Sequence, residues 1–449
     1  MRDGQLRLPG FHPLLVIGPY VICVVAPLGA AVLGETRSRG FYQELSMDLA
    51  VAGLAMLFMQ FALSGRFKFL SGNIGIDTLM RFHQLAARMV LGLLIAHPLL
   101  LVAPALWGHP AVAARMLSTM FTARVLRSGT TAWLLLVLLV PIAIYRDKLP
   151  ISYEAWRSSH GLGGIAAAGF GLHHALSVGA SRAYPPFVGS LLALSAFAIF
   201  SVLFVYGLKP LWQLRRHYRV VSNRKVAERM WEIVLEPRNG ASIAFTSGQF
   251  AWLKFGRSPF HVSDHPFSIC TTPNSRPRIA FLIKEAGDFT RRIGTIAVGT
   301  CAFVDGPFGT LTLKGRSPKG VVLIAGGVGF SPILGILRQL RAERFKGSVC
   351  LIYGNRVRTQ VLFQDEIEAM KQELDLSVHL LLSEPPADWS GNVGELTAET
   401  LARCLDFSDL AERLYLVSGP PAMVKGVEKA LRARGIPRRN IIAEHFKFA

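Results

Sequence analysis

The sequence predicts a helical membrane bundle of six spans joined to a soluble module, an antiparallel β-barrel followed by a parallel α/β nucleotide-binding domain. Three observations carry this expectation. The 449-residue chain is 51% apolar with a mean hydropathy of +0.37, high for a soluble protein, and its long apolar runs gather in residues 11–208. Beyond Lys209 the texture changes to short β-rich segments divided by glycine, proline and polar turns. From about Gly320, strands and amphipathic helices alternate, the pattern of a parallel sheet. The length suits about three domains, placed at 1–208, 209–318 and 319–449.

Six apolar runs are long enough to span, at 12–33, 47–64, 82–107, 130–147, 155–178 and 187–208. The first lacks a small-residue cleavage site and more spans follow it, so it reads as a retained helix. An even number of spans puts both ends on one side. The loops "SGRFKFLSG" and "YRDKLPISYEAWRSS" and the exit "KPLWQLRRHYRVVSNRK" are basic, which favours a cytoplasmic C-terminal half. The formal net charge of +20 fits such an inner surface, and no nucleic-acid recognition motif accompanies it. The cysteines Cys23, Cys270, Cys301, Cys350 and Cys404 are scattered, with no disulfide framework, zinc spacing or covalent haem motif.

In the soluble half, "MWEIVLEP", "FAWLKF", "RIAFLIKE" and "CAFVDGP" read as barrel strands. The strands "GVVLIAG", "SVCLIYGN", "LSVHLLLSE" and "RLYLVSG" then alternate with the helices "SPILGILRQLRAE", "LFQDEIEAMKQEL", "TAETLARCL" and "PAMVKGVEKALRARG".

Two spans carry matched histidines. His83 and His97 are 14 residues apart, almost four helical turns, so they share a face about 21 Å apart along the axis. His160 is 13 residues from His173 and 14 from His174. Ionisable groups inside a span are functional by default. Neutral imidazole is a good axial ligand of haem iron. Two adjacent helices of this kind hold two haems at different depths, one through His83 and His160, the other through His97 and His173 or His174. Gly161, Gly163, Gly164, Gly169 and Gly171 leave room for a porphyrin face.

Four segments of the soluble half suit nucleotide cofactors. "HPFSICTTP", beginning at His265, suits a flavin ring lying along strand backbone. "IKEAGDFTRRI" begins at Ile283 and Lys284, and its Gly287, Asp288, Phe289 and Thr290 precede an apparent helix whose N-terminus attracts pyrophosphate. "LIAGGVGFSPILGIL" follows a strand and opens a helix. Its Gly326, Gly327 and Gly329 permit close approach of a ligand to the backbone, and Pro332 suits a first helical turn. Arg356 and Arg358 follow the second strand of this domain, where a basic group holds a ribose 2′-phosphate and favours NADPH over NADH. "VSGPPAM", Val417 to Met423, is another strand-to-helix turn on the same crevice.

Together and in order, the histidine pairs, "ISYEAWRSSHG", "HPFS", "GDFT", "GPFG", "GGVGFSP" and "SGPPAM" resemble the ferric reductase and NADPH oxidase superfamily over nearly the whole chain. The sequence looks like a prokaryotic NADPH oxidase. The resemblance implies two b-type haems, FAD in a ferredoxin-reductase-like barrel and NADPH or NADH in the last domain. It assigns FAD to His265, Pro266, Phe267 and Ser268, and pyrophosphate to Gly287 through Thr290. It assigns NAD(P)H to Gly326, Gly327, Gly329, Ser331 and Pro332, with Gly419, Pro420 and Met423. The superfamily pattern selects His173 as the outer ligand, whereas a regular helix favours His174, within about 40° of His160. Choosing His173 predicts a π-bulge or kink in this span. A C-terminal aromatic stacks on the flavin in many members, which points to Phe448, with Phe446 as the alternative. The resemblance further implies an integral protein of the bacterial inner membrane with cytoplasmic FAD and NAD(P)H domains. The implied acceptor on the far side is O2, giving superoxide, without an obligatory protein partner. A ferric or cupric chelate reductase and an electron-relay subunit are the alternatives. Leu101 stands where some oxidases have a further histidine.

Overall fold

The computed structural model describes residues 14–34, 40–178, 180–240 and 242–444. Its contacts separate two compact units. One comprises Thr78–Lys209 with the described residues up to Leu70; the other comprises Ser71–Asp77 with those from Pro210 onward.

Up to Arg215 the chain is helical: α1 (Leu14–Gly34), α2 (Phe41–Met59), α3 (Lys68–Ile74), α4 (Ile76–Gly108), α5 (Pro110–Thr122), α6 (Arg127–Ile144), α7 (Tyr153–Val178), α8 (Pro185–Leu203) and α9 (Lys209–Arg215). Prolines sit at the first turns of α5 and α8, where a missing N–H costs nothing. The core of this first unit joins Leu54 to Met59 of α2 with Ala86 and Val90 of α4, Leu136 of α6, Ala167 of α7 and Leu191 of α8. Large apolar side chains such as Ile22, Leu33, Leu138, Ile199 and Leu203 point outward instead, as expected of a surface that faces hydrocarbon.

Among the described residues, four helical stretches are long and apolar enough to cross a membrane: Ile17–Gly34, Ile76–Gly108, Arg124–Ile144 and Pro185–Arg215. The other two expected spans form helices α2 and α7, but Glu44 and Asp48 dilute the first, and histidines and glycines the second. Helix α5, which the sequence did not suggest, is only 13 residues long, too short to cross. Its exposed Val112, Met116, Leu117 and Phe121 share it with Arg115.

The second unit contains two six-stranded sheets. The first runs β4–β3–β6–β1–β2–β5 and is antiparallel, from β1 (Tyr218–Ala227), β2 (Met230–Pro237), β3 (Phe250–Phe255), β4 (His265–Ser268), β5 (Ile279–Lys284) and β6 (Cys301–Phe308). Ile269, just past β4, bridges Phe281 of β5, so the two edge strands meet and the sheet closes into a barrel. Phe281, Ile233, Leu253 and Val220 fill its interior.

The second sheet runs β10–β9–β8–β7–β11–β12 and is parallel, from β7 (Gly320–Gly326), β8 (Ser348–Asn355), β9 (Leu376–Leu382), β10 (Asn392–Val393), β11 (Leu414–Ser418) and β12 (Ile441–Glu444). Every residue of β7 is buried, as a central strand covered on both faces requires. Helices α10 (Phe330–Ala342) and α11 (Gln364–Met370) cover one face; α12 (Ala398–Cys404) and α13 (Pro421–Ala433) cover the other.

Candidate functional site

In the first unit, His83 of α4 and His160 of α7 face each other with ring centroids 6.4 Å apart. Two metal–nitrogen bonds of about 2 Å, plus about 1 Å from each nitrogen to its ring centre, require roughly this separation when one metal lies between two imidazoles. Trp156, one turn before His160, stacks on it at 5.4 Å, and the Arg146 guanidinium lies 4.6 Å over the Trp156 ring. The second level lies farther along both helices. His97 Nδ1 is 2.9 Å from the Ser46 carbonyl on α2, and His174 is within electrostatic reach of His97.

The doubled histidine resolves against the pattern. Helix α7 is an unbroken α-helix from Tyr153 to Val178, without the expected bulge. A π turn occurs instead at Phe204–Leu208, after α8. On a regular helix His160, Gly164, Ala167, Gly171 and His174 form one stripe. His174 accordingly packs on Gly129 of α6, where an added Cβ would come within 2.6 Å of its Nδ1, whereas His173 is exposed. In this regular helix it is His174, not the expected His173, that lies on the His160 stripe.

The glycines of α7 divide by role. A Cβ at Gly163 would strike Leu139 of α6, and one at Gly171 would press on Leu54 of α2, so these two permit helix packing. Gly161 and Gly169 border open space, and Gly164 has only Phe61 at 4.0 Å. Buried polar atoms without a hydrogen-bond partner include His83 Nδ1, the Gln60 side-chain amide and Nε1 of Trp156, which stacks on His160, and they include His174 Nδ1 and Oγ of Ser128, the residue before Gly129. Buried polar groups are normally satisfied, so this donor set fits a group bound at each level, with imidazole pairs suited to haem iron.

In the second unit the flavin motifs converge. The His265 ring of β4 stacks on Phe289 at 4.1 Å, joining "HPFS" to "GDFT". Pro266, Phe267 and Ser268 pair along β3 with Trp252, Ala251 and Phe250. Thr290 Oγ1 accepts the Ala286 and Gly287 N–H groups at 2.8 Å each, closing a tight turn. A 3-10 turn, Thr290–Thr295, follows in place of the expected helix. Asp288 is exposed beside it. Lys284 ends β5 exposed, whereas the Ile283 side chain is buried in the barrel core.

The nucleotide motifs meet at the neighbouring strands β7 and β11. The chain leaves β7 toward β8 and β9 on one side and returns through β11 and β12 on the other, so the crevice between β7 and β11 is the topological switch point, where ligands of open α/β sheets bind. Gly327 takes a positive φ of 53°. Gly329 approaches the other loop so closely that a Cβ would stand 2.4 Å from the Ser418 carbonyl oxygen and 2.6 Å from Gly419 Cα. A Cβ at Gly326 would strike Met423, and Pro420 lies 3.2 Å away. Pro332 is buried in the first turn of α10, and Ser331 Oγ donates to the Ser268 carbonyl at 2.9 Å, tying the nucleotide turn to the flavin strand. Arg356 and Arg358 are exposed after β8, paired with Glu384 and Asp388 at 3.2 Å each. Phe446 and Phe448 lie outside the described residues.

Comparison with known families matches three segments in order. Residues 49–171 match the ferric reductase like transmembrane component, 220–331 an FAD-binding domain and 323–429 an oxidoreductase NAD-binding domain. The chain has the architecture of the ferric reductase/NADPH oxidase superfamily. Within that superfamily layout, a helical membrane region is joined to an FAD-binding and an NAD-binding domain, and these domains are those of an NAD(P)H oxidoreductase.

Relatives include NADH-cytochrome b5 reductase 1 of Laccaria bicolor, 30% identical over 38% of this chain and 57% of that protein. The reductase component of propane 2-monooxygenase from Mycolicibacterium goodii is 31% identical over 47% of this chain and 62% of that protein. The chain thus spans less than two thirds of the curated relatives it matches. Among solved structures, the flavohem-like FAD/NAD-binding domain of nitric oxide dioxygenase from Vibrio cholerae O1 biovar El Tor aligns with 51% of this chain and 98% of its own at 21% identity, TM-score 0.46.

Three groups at these sites were missed by reading the sequence. Ser46 holds His97 from another helix, and Arg146 reaches Trp156 and through it His160. Glu444, at the end of β12, is 4% exposed; its Oε1 accepts the Thr310 N–H at 3.0 Å and its Oε2 has no hydrogen-bond partner. Burial, followed by the charge of Asp77, pushes this carboxyl up to about 8. No local sequence signal marks any of the three.

Proposed function

We propose that the chain carries electrons from cytoplasmic NAD(P)H through FAD and two b-type haems to O2 on the far side of a bacterial inner membrane, releasing superoxide. The observation that carries this reading is the His83–His160 pair, 6.4 Å apart on two helices that each bear a second histidine 14 residues further on. When bound, these groups supply the hydride acceptance, the splitting of an electron pair and the one-electron relay that side chains lack.

The chain's own residues bind and orient. His83 and His160 serve as one ligand pair, His97 and His174 as the other. Trp156 and Arg146 fix the plane of His160 by stacking. His265 through Ser268 and the Gly287–Thr290 turn hold FAD. Gly326, Gly327 and Gly329 admit the dinucleotide at the β7/β11 crevice, with Gly419 to Met423 opposite and Arg356 as a contact for a 2′-phosphate.

The match of residues 49–171 to a ferric reductase like component favours a second reading, reduction of a ferric or cupric chelate. NADPH consumption by the purified chain, followed with haem reduction in the presence of O2, of ferric chelate or of neither, separates the two. Turnover with O2 and superoxide-dependent cytochrome c reduction supports the first. Turnover only with chelate supports the second. Silence toward both rejects small-molecule acceptors and favours a relay to a partner protein.

A further inference from the structure

Ser46 lies on α2, fully buried, and grips His97 of α4 at three points. Its Oγ donates to the His97 carbonyl oxygen at 2.7 Å. Its own carbonyl oxygen is 2.9 Å from His97 Nδ1, and its Oγ is 2.8 Å from the same nitrogen. A carbonyl only accepts, so the 2.9 Å contact requires a hydrogen on Nδ1. The one hydroxyl hydrogen of Ser46 is committed to the His97 carbonyl, so Oγ also accepts from Nδ1–H. Every contact therefore selects a single tautomer, with the proton on Nδ1 and the lone pair on Nε2.

His83 presents a contrast. Its Nδ1 lies near the Gln60 backbone but makes no hydrogen bond of ordinary geometry, and His174 Nδ1 is likewise buried without a partner. Only His97, of these three rings, has its second nitrogen anchored among the described residues. A histidine that binds metal characteristically donates its other N–H to an oxygen, which fixes the ring, raises its basicity and strengthens the bond to the metal.

We infer that Ser46 is a positioning residue for one haem, holding His97 in the Nδ1–H tautomer so that Nε2 is presented as ligand, and that it sets the potential of that haem apart from its neighbour's. This rests on the two-haem reading above. The extra acceptor at Nδ1 makes the imidazole more basic and favours ferric iron, so that haem has the lower potential that such anchoring gives.

The test uses the full chain in detergent, with haem counted by pyridine haemochrome and the potentials read by redox titration of the visible bands. Ser46→Ala keeps the residue 46 carbonyl on Nδ1–H and removes only the two hydroxyl contacts, so one haem midpoint should rise and its low-spin ferric resonance shift by the hydroxyl's share, while the other haem keeps both values. Loss of that haem to apomyoglobin should quicken by up to roughly tenfold, the low end of the range for losing such a partner, because the carbonyl remains. Ser46→Thr, which keeps the hydroxyl, should restore the original values. If Ser46→Ala does not fold, Ser46→Cys, a weaker donor and acceptor, should give an intermediate shift at the same haem. Unchanged potentials and resonances in Ser46→Ala, or in Ser46→Cys where that is the variant measured, overturn the role of Ser46. His97→Ala separates the two levels of inference: loss of one haem there with no effect of Ser46 sinks the positioning role alone, retention of both haems sinks His97 as a ligand, and a parent chain with fewer than two haems sinks the two-haem reading.

Discussion

Glu444→Gln should stabilise the FAD/NAD unit, and by an amount that grows with pH. The carboxyl of Glu444 is 4% exposed, with one oxygen bonded to the Thr310 N–H and the other unsatisfied. Burial and the nearby Asp77 raise it from an ordinary value of 4.5 to about 8. Between those two values the native state keeps a proton that the unfolded chain releases, so stability falls as pH rises from 4.5 toward 8 and levels off above. At about 1.4 kcal/mol for each pH unit, the whole effect is about 5 kcal/mol. Glutamine is neutral throughout and can still accept from Thr310, so it removes the dependence. For a unit of this size that corresponds to about 10–20 °C in Tm. The assay is thermal unfolding of the full chain in detergent, read by release of flavin fluorescence from pH 5 to pH 8.5. The variant and the parent should melt together at the acid end and diverge steadily above it, the variant higher. Parallel curves across that range would falsify the buried, proton-holding carboxyl.

Other perturbations test the remaining geometry. Gly329→Ala should cost about 1–3 kcal/mol by forcing apart the β7 and β11 loops, because its Cβ meets backbone atoms at 2.4 and 2.6 Å. The same change should weaken NADPH binding at least about tenfold, as measured by the concentration dependence of flavin reduction in stopped flow; an unaltered half-saturation would refute the close approach. Arg338 donates two bonds of 2.7 Å to Glu366 and one of 2.9 Å to the Cys270 carbonyl, linking the end of the flavin strand to α10 and α11. Arg338→Ala should cost about 2–3 kcal/mol in urea unfolding, and Arg338→Lys should recover only part, since lysine cannot reproduce the paired geometry. Full recovery by lysine would show that charge alone suffices.

Much of this molecule is legible in its sequence where one rule dominates locally. β7 reads as a buried parallel strand because all of its positions are covered, and the expected segment "GVVLIAG" coincides with it. Barrel strands β2 and β3 likewise fall on "MWEIVLEP" and "FAWLKF". β1 is hidden because two register shifts break its alternation and Ser222, Asn223, Arg224 and Lys225 dilute its apolar content. The glycine-rich turns are legible because a steric demand leaves no other residue, as at Gly329. Ser46 and Glu444 are not, because their partners lie 51 and 134 residues away and only tertiary contact brings them together. The choice between His173 and His174 sits between these cases. The spacing of 14 puts His174 on the face of His160 while the superfamily pattern selects His173, and the regular α7 has the helical spacing rather than the expected bulge.

Haem content across a set of histidine variants tests the central claim most directly. The full chain should hold two b-type haems. His83→Ala and His160→Ala should each lose the same one, and His97→Ala and His174→Ala the other, as identified by midpoint potential, while His173→Ala keeps both. A parent chain with fewer than two haems, or a His173→Ala variant that loses one while His174→Ala retains both, would contradict the proposed ligand pairs.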